Sequence, residues 1–240
     1  MRRMETAHAA ASLKRRDRIA TSKPFVFALC LLPLAWLAWD TLHGRLGPDP
    51  VAQLEHRSGD WTLRILLATL AITPLRLVTH WHGLTRYRRM LGLFAYFYAS
   101  VHLSVYLVVD LGGFWSQILG EIAKKPFITV GFAAWLMMIP LALTSTRGMQ
   151  RRLGRNWLRL HRLVYLVGLC GVLHFMWLVK SGNRIAVQEP LVYLAILIAL
   201  LAMRVPGWWR RWRTDAAAPR PSVRARAPAS GEAPDHAGRS

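Results

Sequence analysis

The apolar residues of this chain fall in long blocks, and their distribution constrains the fold more than any other feature of the sequence. A helix needs about 20 mainly apolar residues to cross the roughly 30 Å hydrocarbon core of a bilayer. Six blocks approach that length, and the sixth is the shortest. They cover residues 24–42, 61–78, 90–109, 127–143, 160–179 and 190–203. The sequence therefore predicts an all-α membrane protein, a bundle of about six transmembrane helices.

Basic residues between the blocks predict the orientation of the bundle. The formal net charge is +20. In a soluble domain, basic residues gathered on one face would suggest nucleic-acid binding. Here 24 of the 32 Lys and Arg residues flank one side of the six blocks, and 6 flank the other. Since positively charged loops stay in the cytoplasm, we expect both termini to be cytoplasmic. We expect no nucleic-acid partner.

The chain divides into three segments. Residues 1–23 form a basic tail without an apolar stretch, which predicts an uncleaved cytoplasmic N-terminus. Residues 24–205 contain the predicted transmembrane domain. Residues 206–240 begin with interleaved Trp and Arg, typical of a membrane interface, and continue as a Pro-, Ala- and Arg-rich tail that predicts disorder. No phosphate-binding loop or Rossmann fingerprint occurs, so a nicotinamide would have to bind another chain.

Two of the nine histidines lie deep inside apolar blocks, His102 in YASVHLSVY and His174 in GVLHFMW, whereas His161 lies at the start of the fifth block. An ionisable residue at membrane depth is costly and by default indicates function. Both lie about 20 Å from the cytoplasmic ends of their helices, at about 1.5 Å per residue. Two imidazoles at one depth can supply both axial ligands of a haem iron, and no C-x-x-C-H motif for covalent attachment is present. Gly171 would let a flat macrocycle approach, or would serve helix packing alone.

A third histidine, His161, lies about 20 Å nearer the cytoplasm than His174, a spacing that suits a second haem. An ideal helix would turn these two positions about 140° apart, so a shared face requires a bend, which the glycines between them would permit. The position that would hold its partner ligand is Arg88. His161 is therefore a candidate haem ligand or an interfacial residue, and Arg88 a candidate contact of an inner haem or its propionates.

The chain resembles the MsrQ family, the haem-binding membrane subunits of bacterial periplasmic protein-methionine-sulfoxide reductase systems. The resemblance covers roughly residues 24–205 and rests on the three histidines and three motifs. These are LHGRLGPDP at 42–50, LATLAITPLR at 67–76 and TSTRGMQRRLG at 144–154.

The resemblance implies a ferric-reductase-like transmembrane domain in the bacterial inner membrane that binds haem b and FMN. It implies electron delivery from the quinone pool, or from a cytosolic flavin reductase, to a periplasmic molybdopterin-containing subunit of the MsrP type. That partner repairs methionine sulfoxide in envelope proteins, so this chain would be an electron-transfer subunit rather than a stand-alone catalyst. Arg88 departs from the four-histidine pattern of the wider superfamily. No motif identifies the FMN site; the basic loop 144–159 is a candidate because it could meet a phosphate.

Two other functions stay open at this point. A ferric-reductase-like oxidoreductase would use the same haem and reduce a small acceptor directly. A transporter would use the buried histidines as a proton relay. Prolines at positions 33, 74 and 140 agree with broken transporter helices, although membrane helices tolerate proline readily.

Overall fold

The computed structural model describes residues 2–182 and 188–204, and these are helical without any strand. Nine α-helices occur in this part of the chain. They are α1 (Arg2–Leu42), α2 (Pro50–Thr79), α3 (Thr85–Ser104), α4 (Trp115–Lys124), α5 (Pro126–Leu143), α6 (Arg147–Leu153), α7 (Arg155–Leu160), α8 (Leu163–Gly182) and α9 (Gln188–Ala202). The predicted interfacial anchor and disordered tail at 206–240 lie outside the described residues.

Five helical segments are long and apolar enough to cross a membrane, and each contains one of the first five predicted blocks. They are Ser22–Leu42, Pro50–Thr79, Thr85–Asp110, Pro126–Leu143 and Arg155–Val179. The sixth block forms α9, which at 15 residues is shorter than a full span. Large apolar side chains point outward from the bundle, as Phe25 and Trp36 do at 71% exposure each. The prediction of an all-α, multi-pass membrane protein is confirmed.

The helix α2 begins at Pro50, well before the predicted start of its span at Trp61. The side chain of Asp49 accepts a hydrogen bond from the Ala52 amide at 3.1 Å, and proline occupies the first helical position. Polar residues in the first turns interrupt the apolar block, which is why the hydropathy pattern did not include them. As a result, Glu55, Ser58 and Gly59 lie on a helix of the bundle.

The helix α3 continues into a π-helical segment, Val105–Asp110, in which the Leu111 amide donates to the Tyr106 carbonyl at 3.0 Å. Single π turns inside longer helices are frequent at functional sites. Two glycines with positive φ, Gly112 and Gly113, then turn the chain toward α4. The loop helices α4, α6 and α7 were not predicted from the sequence, because each is too short to show a membrane-span signal.

The interior of the bundle contains two apolar clusters. The first cluster joins α1, α2, α3, α5 and α8, and Ala95 and Val167 are among its almost completely buried members. The second joins α2, α8 and α9 around Leu70 and Leu197. Residues of α2, α3, α5 and α8 therefore surround the centre of the bundle, where the two internal histidines lie.

Candidate functional site

The two histidines inside apolar helices, His102 on α3 and His174 on α8, come together in the interior of the bundle. Their ring centroids are 6.1 Å apart and their planes are inclined at 76°. Both line a cavity of about 220 Å³ bounded mainly by α2, α3, α5 and α8. We call this space the outer cavity. The structure thus brings together the two residues that the sequence predicted as a ligand pair.

Each histidine is oriented by a main-chain carbonyl. The Nδ1 atom of His102 lies 3.0 Å from the Glu55 carbonyl and 3.2 Å from the Ser58 hydroxyl. The Nδ1 atom of His174 lies 2.7 Å from the Phe127 carbonyl. Because a carbonyl only accepts, each Nδ1 carries the proton and donates it, which leaves the Nε2 lone pair for a metal. Outer hydrogen bonds of this kind fix the tautomer and ring orientation of metal-binding histidines.

The separation of the rings fits two imidazoles on opposite sides of one metal ion. A metal–imidazole bond is about 2.0 Å long and the coordinating nitrogen lies about 1.2 Å from the ring centre, so the centroids should be about 6.4 Å apart. The observed 6.1 Å agrees with that value. No group of three or more His, Cys, Asp or Glu residues that could hold a metal ion occurs among the described residues. The pair therefore suits an iron whose remaining ligands come from a porphyrin.

Two glycines allow the histidines to pack against neighbouring helices. A Cβ atom on Gly131 of α5 would lie 2.7 Å from Nδ1 of His174, and one on Gly59 of α2 would lie 3.2 Å from Cε1 of His102. Gly171 lines the same cavity, but its Cβ would meet only Leu63 Cδ1 at 3.6 Å. Sequence reasoning selected Gly171 and missed the other two. An isolated glycine in a helical pattern was the only available signal.

Two polar groups in the outer cavity have no hydrogen-bond partner within the described residues. They are Oε1 of Glu55 and the hydroxyl of Tyr106, and both atoms are buried. Buried polar atoms are nearly always hydrogen-bonded in native proteins. The Tyr106 hydroxyl is therefore available as a donor to an anionic group held in the cavity, such as a haem propionate, whereas the Glu55 carboxylate oxygen can only accept a hydrogen bond. Tyr106 lies one turn beyond His102, at the start of the π-helical segment.

The third predicted residue, His161, lines a second cavity of about 200 Å³, which we call the inner cavity. Arg88 lines the same cavity, so the structure brings these two candidates together. Nδ1 of His161 donates to the Trp157 carbonyl at 3.1 Å, and the two rings stack with centroids 3.9 Å apart. No second histidine is among the described residues that line the inner cavity.

A break in the helix, at His161 and Arg162, separates α7 from α8. The sequence had suggested that glycines between His161 and His174 would permit a bend. The helix is instead continuous across both glycines, and Gly168 packs against Leu197 and Leu70. His161 lies at this break and lines the inner cavity, whereas His174 lies within α8 and lines the outer cavity.

The basic loop 144–159 contributes to the inner cavity through uncharged side chains. Ser145, Gln150 and Trp157 line the cavity, whereas its positively charged lining comes from Arg88 and Arg89 of α3. The Ser145 hydroxyl is buried and has no partner among the described residues. An anionic group in this cavity would therefore meet α3 rather than the arginines of the loop.

Comparisons with known proteins give one family and a set of close relatives. Residues 58–172 match the family described as Ferric reductase like transmembrane component. The chain is 53% identical over 206 residues to the protein-methionine-sulfoxide reductase heme-binding subunit MsrQ of Xanthomonas oryzae pv. oryzae, covering 83% of this chain and 90% of that protein. The protein of the same name from Rhodospirillum rubrum is 46% identical over 206 residues, covering 85% and 96%. No solved structure matches the chain.

Proposed function

The chain belongs to the MsrQ family of heme-binding subunits of protein-methionine-sulfoxide reductase, and from this premise we propose that it is a b-type haem electron carrier. It moves electrons across the bacterial inner membrane to a catalytic subunit in the periplasm. The observation that carries the proposal is the pair His102 and His174, whose ring separation and free Nε2 atoms fit the two axial positions of one iron.

The protein's own residues hold and orient this group. The carbonyls of Glu55 and Phe127 fix the two imidazoles, and the apolar lining of the outer cavity excludes water. A haem bound there would supply reversible one-electron transfer at a potential set by its ligands and its dry surroundings. The unpaired hydroxyl of Tyr106 is a donor for one of its propionates.

The inner cavity is the proposed site of a second redox group. His161 would be one ligand of an inner haem, and Arg88 would contact that haem or its propionates. FMN, which the resemblance implies, is the other candidate occupant. Its phosphate would meet Arg88, Arg89 and the free hydroxyl of Ser145.

The donor and acceptor follow from the family and from the distribution of charge. Electrons enter near the cytoplasmic face, from the quinone pool or a cytosolic flavin reductase, and leave to a periplasmic molybdopterin-containing subunit of the MsrP type. The excess of Lys and Arg on one side supports cytoplasmic termini. The names of the relatives support methionine sulfoxide reduction as the terminal reaction.

Reduced-minus-oxidised absorption spectra of the detergent-purified protein test the haem assignment. We expect a six-coordinate b-type signal that is lost in His102→Ala and in His174→Ala. His161→Ala should remove only a second, separable signal if an inner haem is present. His43→Ala is the matched control, because that histidine is exposed in the loop after α1. A colourless wild-type protein after haem-replete expression would overturn the proposal and favour the proton-relay transporter.

Direct reduction of a small acceptor is a second candidate function, favoured by the ferric-reductase-like match over residues 58–172. The two functions differ in their need for a partner. An electron carrier reduces methionine sulfoxide only when the periplasmic subunit is added, whereas a ferric reductase reduces ferric citrate in its absence. The ferric citrate rate of the purified protein, measured with and without the partner, decides between them.

A further inference from the structure

The outer and inner cavities are separated by a thin apolar wall. Three side chains line both cavities: Leu66 of α2, Met138 of α5 and Val167 of α8. The direct route for an electron from a group in one cavity to a group in the other crosses this layer. None of the three shared side chains is aromatic, so the direct route runs through saturated groups.

Beside this wall, three aromatic rings form a column from one cavity to the other. Phe132 and Trp135 of α5 line the outer cavity, and Tyr96 of α3 lines the inner cavity. The ring centroids of Phe132 and Trp135 are 5.9 Å apart with planes inclined at 24°. Those of Trp135 and Tyr96 are 6.3 Å apart with planes inclined at 21°. The planes of neighbouring rings are therefore close to parallel from one cavity to the other.

One serine fixes the central ring of this column. The indole N–H of Trp135 donates to the Ser100 hydroxyl at 3.0 Å, and that hydroxyl donates to the Tyr96 carbonyl at 2.9 Å. Ser100 thus ties the Trp135 ring to the backbone of the residue on which it stacks. If Trp135 served only to fill space between the helices, its indole N–H would not need a hydrogen bond to the turn of α3 that carries Tyr96.

We propose that Trp135 and Tyr96 are the electron path between the inner and outer cavities. The inference rests on the proposed function, because it requires a redox group in each cavity. Neighbouring aromatic rings lower the barrier to electron transfer through the protein relative to saturated side chains of the same thickness. With a redox group held in each cavity, Trp135 and Tyr96 would carry one electron from the inner group, which would be oxidised by one electron, to the outer group, which would be reduced by one. No bond forms or breaks, no proton moves, and neither aromatic ring ends the step oxidised.

The test measures electron transfer across a membrane in proteoliposomes that hold ferricyanide in the lumen, with reduced flavin mononucleotide added outside. Trp135→Phe keeps an aromatic ring in the column, whereas Trp135→Leu removes it; Tyr96→Phe and Tyr96→Leu form the second pair. Trp81→Leu is the control, because Trp81 is exposed and lines neither cavity. Absorption spectra and redox titration of each variant report its haem and flavin content and potentials.

We expect the Leu variants to reduce lumenal ferricyanide several-fold more slowly than the Phe variants, at equal cofactor content and unchanged potentials. Equal rates in Trp135→Leu, Trp135→Phe and wild type, with both cofactors present, would overturn the electron path and leave the proposed function intact. Wild-type spectra without a redox group in the inner cavity would instead overturn the two-centre part of the proposed function, and the path with it. Trp135 and Tyr96 are tested independently, so if one Leu variant misfolds, the Leu and Phe variants of the other residue still decide the outcome.

Discussion

At the scale of single residues, Gly131 sets how closely His174 approaches α5. We predict that Gly131→Ala displaces the imidazole, because the added Cβ would lie 2.7 Å from Nδ1. An overlap of this kind costs about 1–3 kcal/mol, or roughly a 5- to 150-fold loss of haem affinity at about 1.4 kcal/mol per tenfold. Haem titration of the apoprotein, followed by absorbance, measures the effect.

Gly171→Ala is the matched control for this prediction, since it lines the same cavity and its Cβ would make only an ordinary contact with Leu63. Both substitutions raise helix propensity by about 1 kcal/mol, so stability alone would not separate them. Equal haem affinity in the two variants would contradict the role assigned to Gly131.

At the inner cavity, Trp157 holds His161 in place. Its ring stacks on that of His161, and its indole N–H donates to the Thr144 carbonyl at 2.9 Å. We predict that Trp157→Phe weakens ligand binding in the inner cavity, since the loss of this bond costs about 1 kcal/mol. Cofactor content by absorption spectroscopy measures it. The outer haem signal of the same sample is the internal control, and its parallel loss would show a general defect instead.

At the scale of helices, Tyr98 of α3 links α3 to α1. Its hydroxyl accepts from the Leu34 amide at 3.0 Å and donates to the Cys30 carbonyl at 2.8 Å. These two groups lie one turn apart in α1, on either side of Pro33. In a membrane every main-chain polar group needs a partner. Tyr98 therefore supplies a side-chain partner to two main-chain groups of α1 and fastens α1 to α3.

We predict that Tyr98→Phe destabilises the protein by about 1–3 kcal/mol, the cost of leaving buried polar groups unpaired. Unfolding in mixed detergent micelles with increasing dodecyl sulfate, followed by far-UV circular dichroism, measures the change. Tyr193→Phe is the control, because it removes a hydrogen bond to Arg64 that is exposed. A Tyr98→Phe variant as stable as Tyr193→Phe would show that Leu34 and Cys30 find other partners.

At the scale of the whole molecule, the distribution of Lys and Arg gives a testable topology. We predict that green fluorescent protein fused to the C-terminus is fluorescent and that alkaline phosphatase fused there is inactive, because that terminus stays in the cytoplasm. A phosphatase fused after Gly47, in the exposed turn between α1 and α2, should be active. The reverse pattern of the two activities would invert the proposed direction of electron transfer.

The sequence by itself determined the helical class, five of the long membrane segments and the histidine pair. A long apolar block in lipid must be helical, because a helix satisfies all of its main-chain hydrogen bonds internally. A histidine inside such a block can be recognised from the sequence, because ionisable residues are rare at membrane depth. His102 and His174 were identified on these grounds, and the structure places their ring centroids 6.1 Å apart. The polar first turns of α2 were missed, because their composition resembles a loop.

Only the tertiary structure decided what surrounds the histidines. Gly59, Gly131 and the carbonyls of Glu55 and Phe127 lie far from His102 and His174 along the chain. Glycines and main-chain carbonyls have no side-chain chemistry that would mark them in the sequence. Their roles arise from the distances between helices, which depend on packing across the whole bundle.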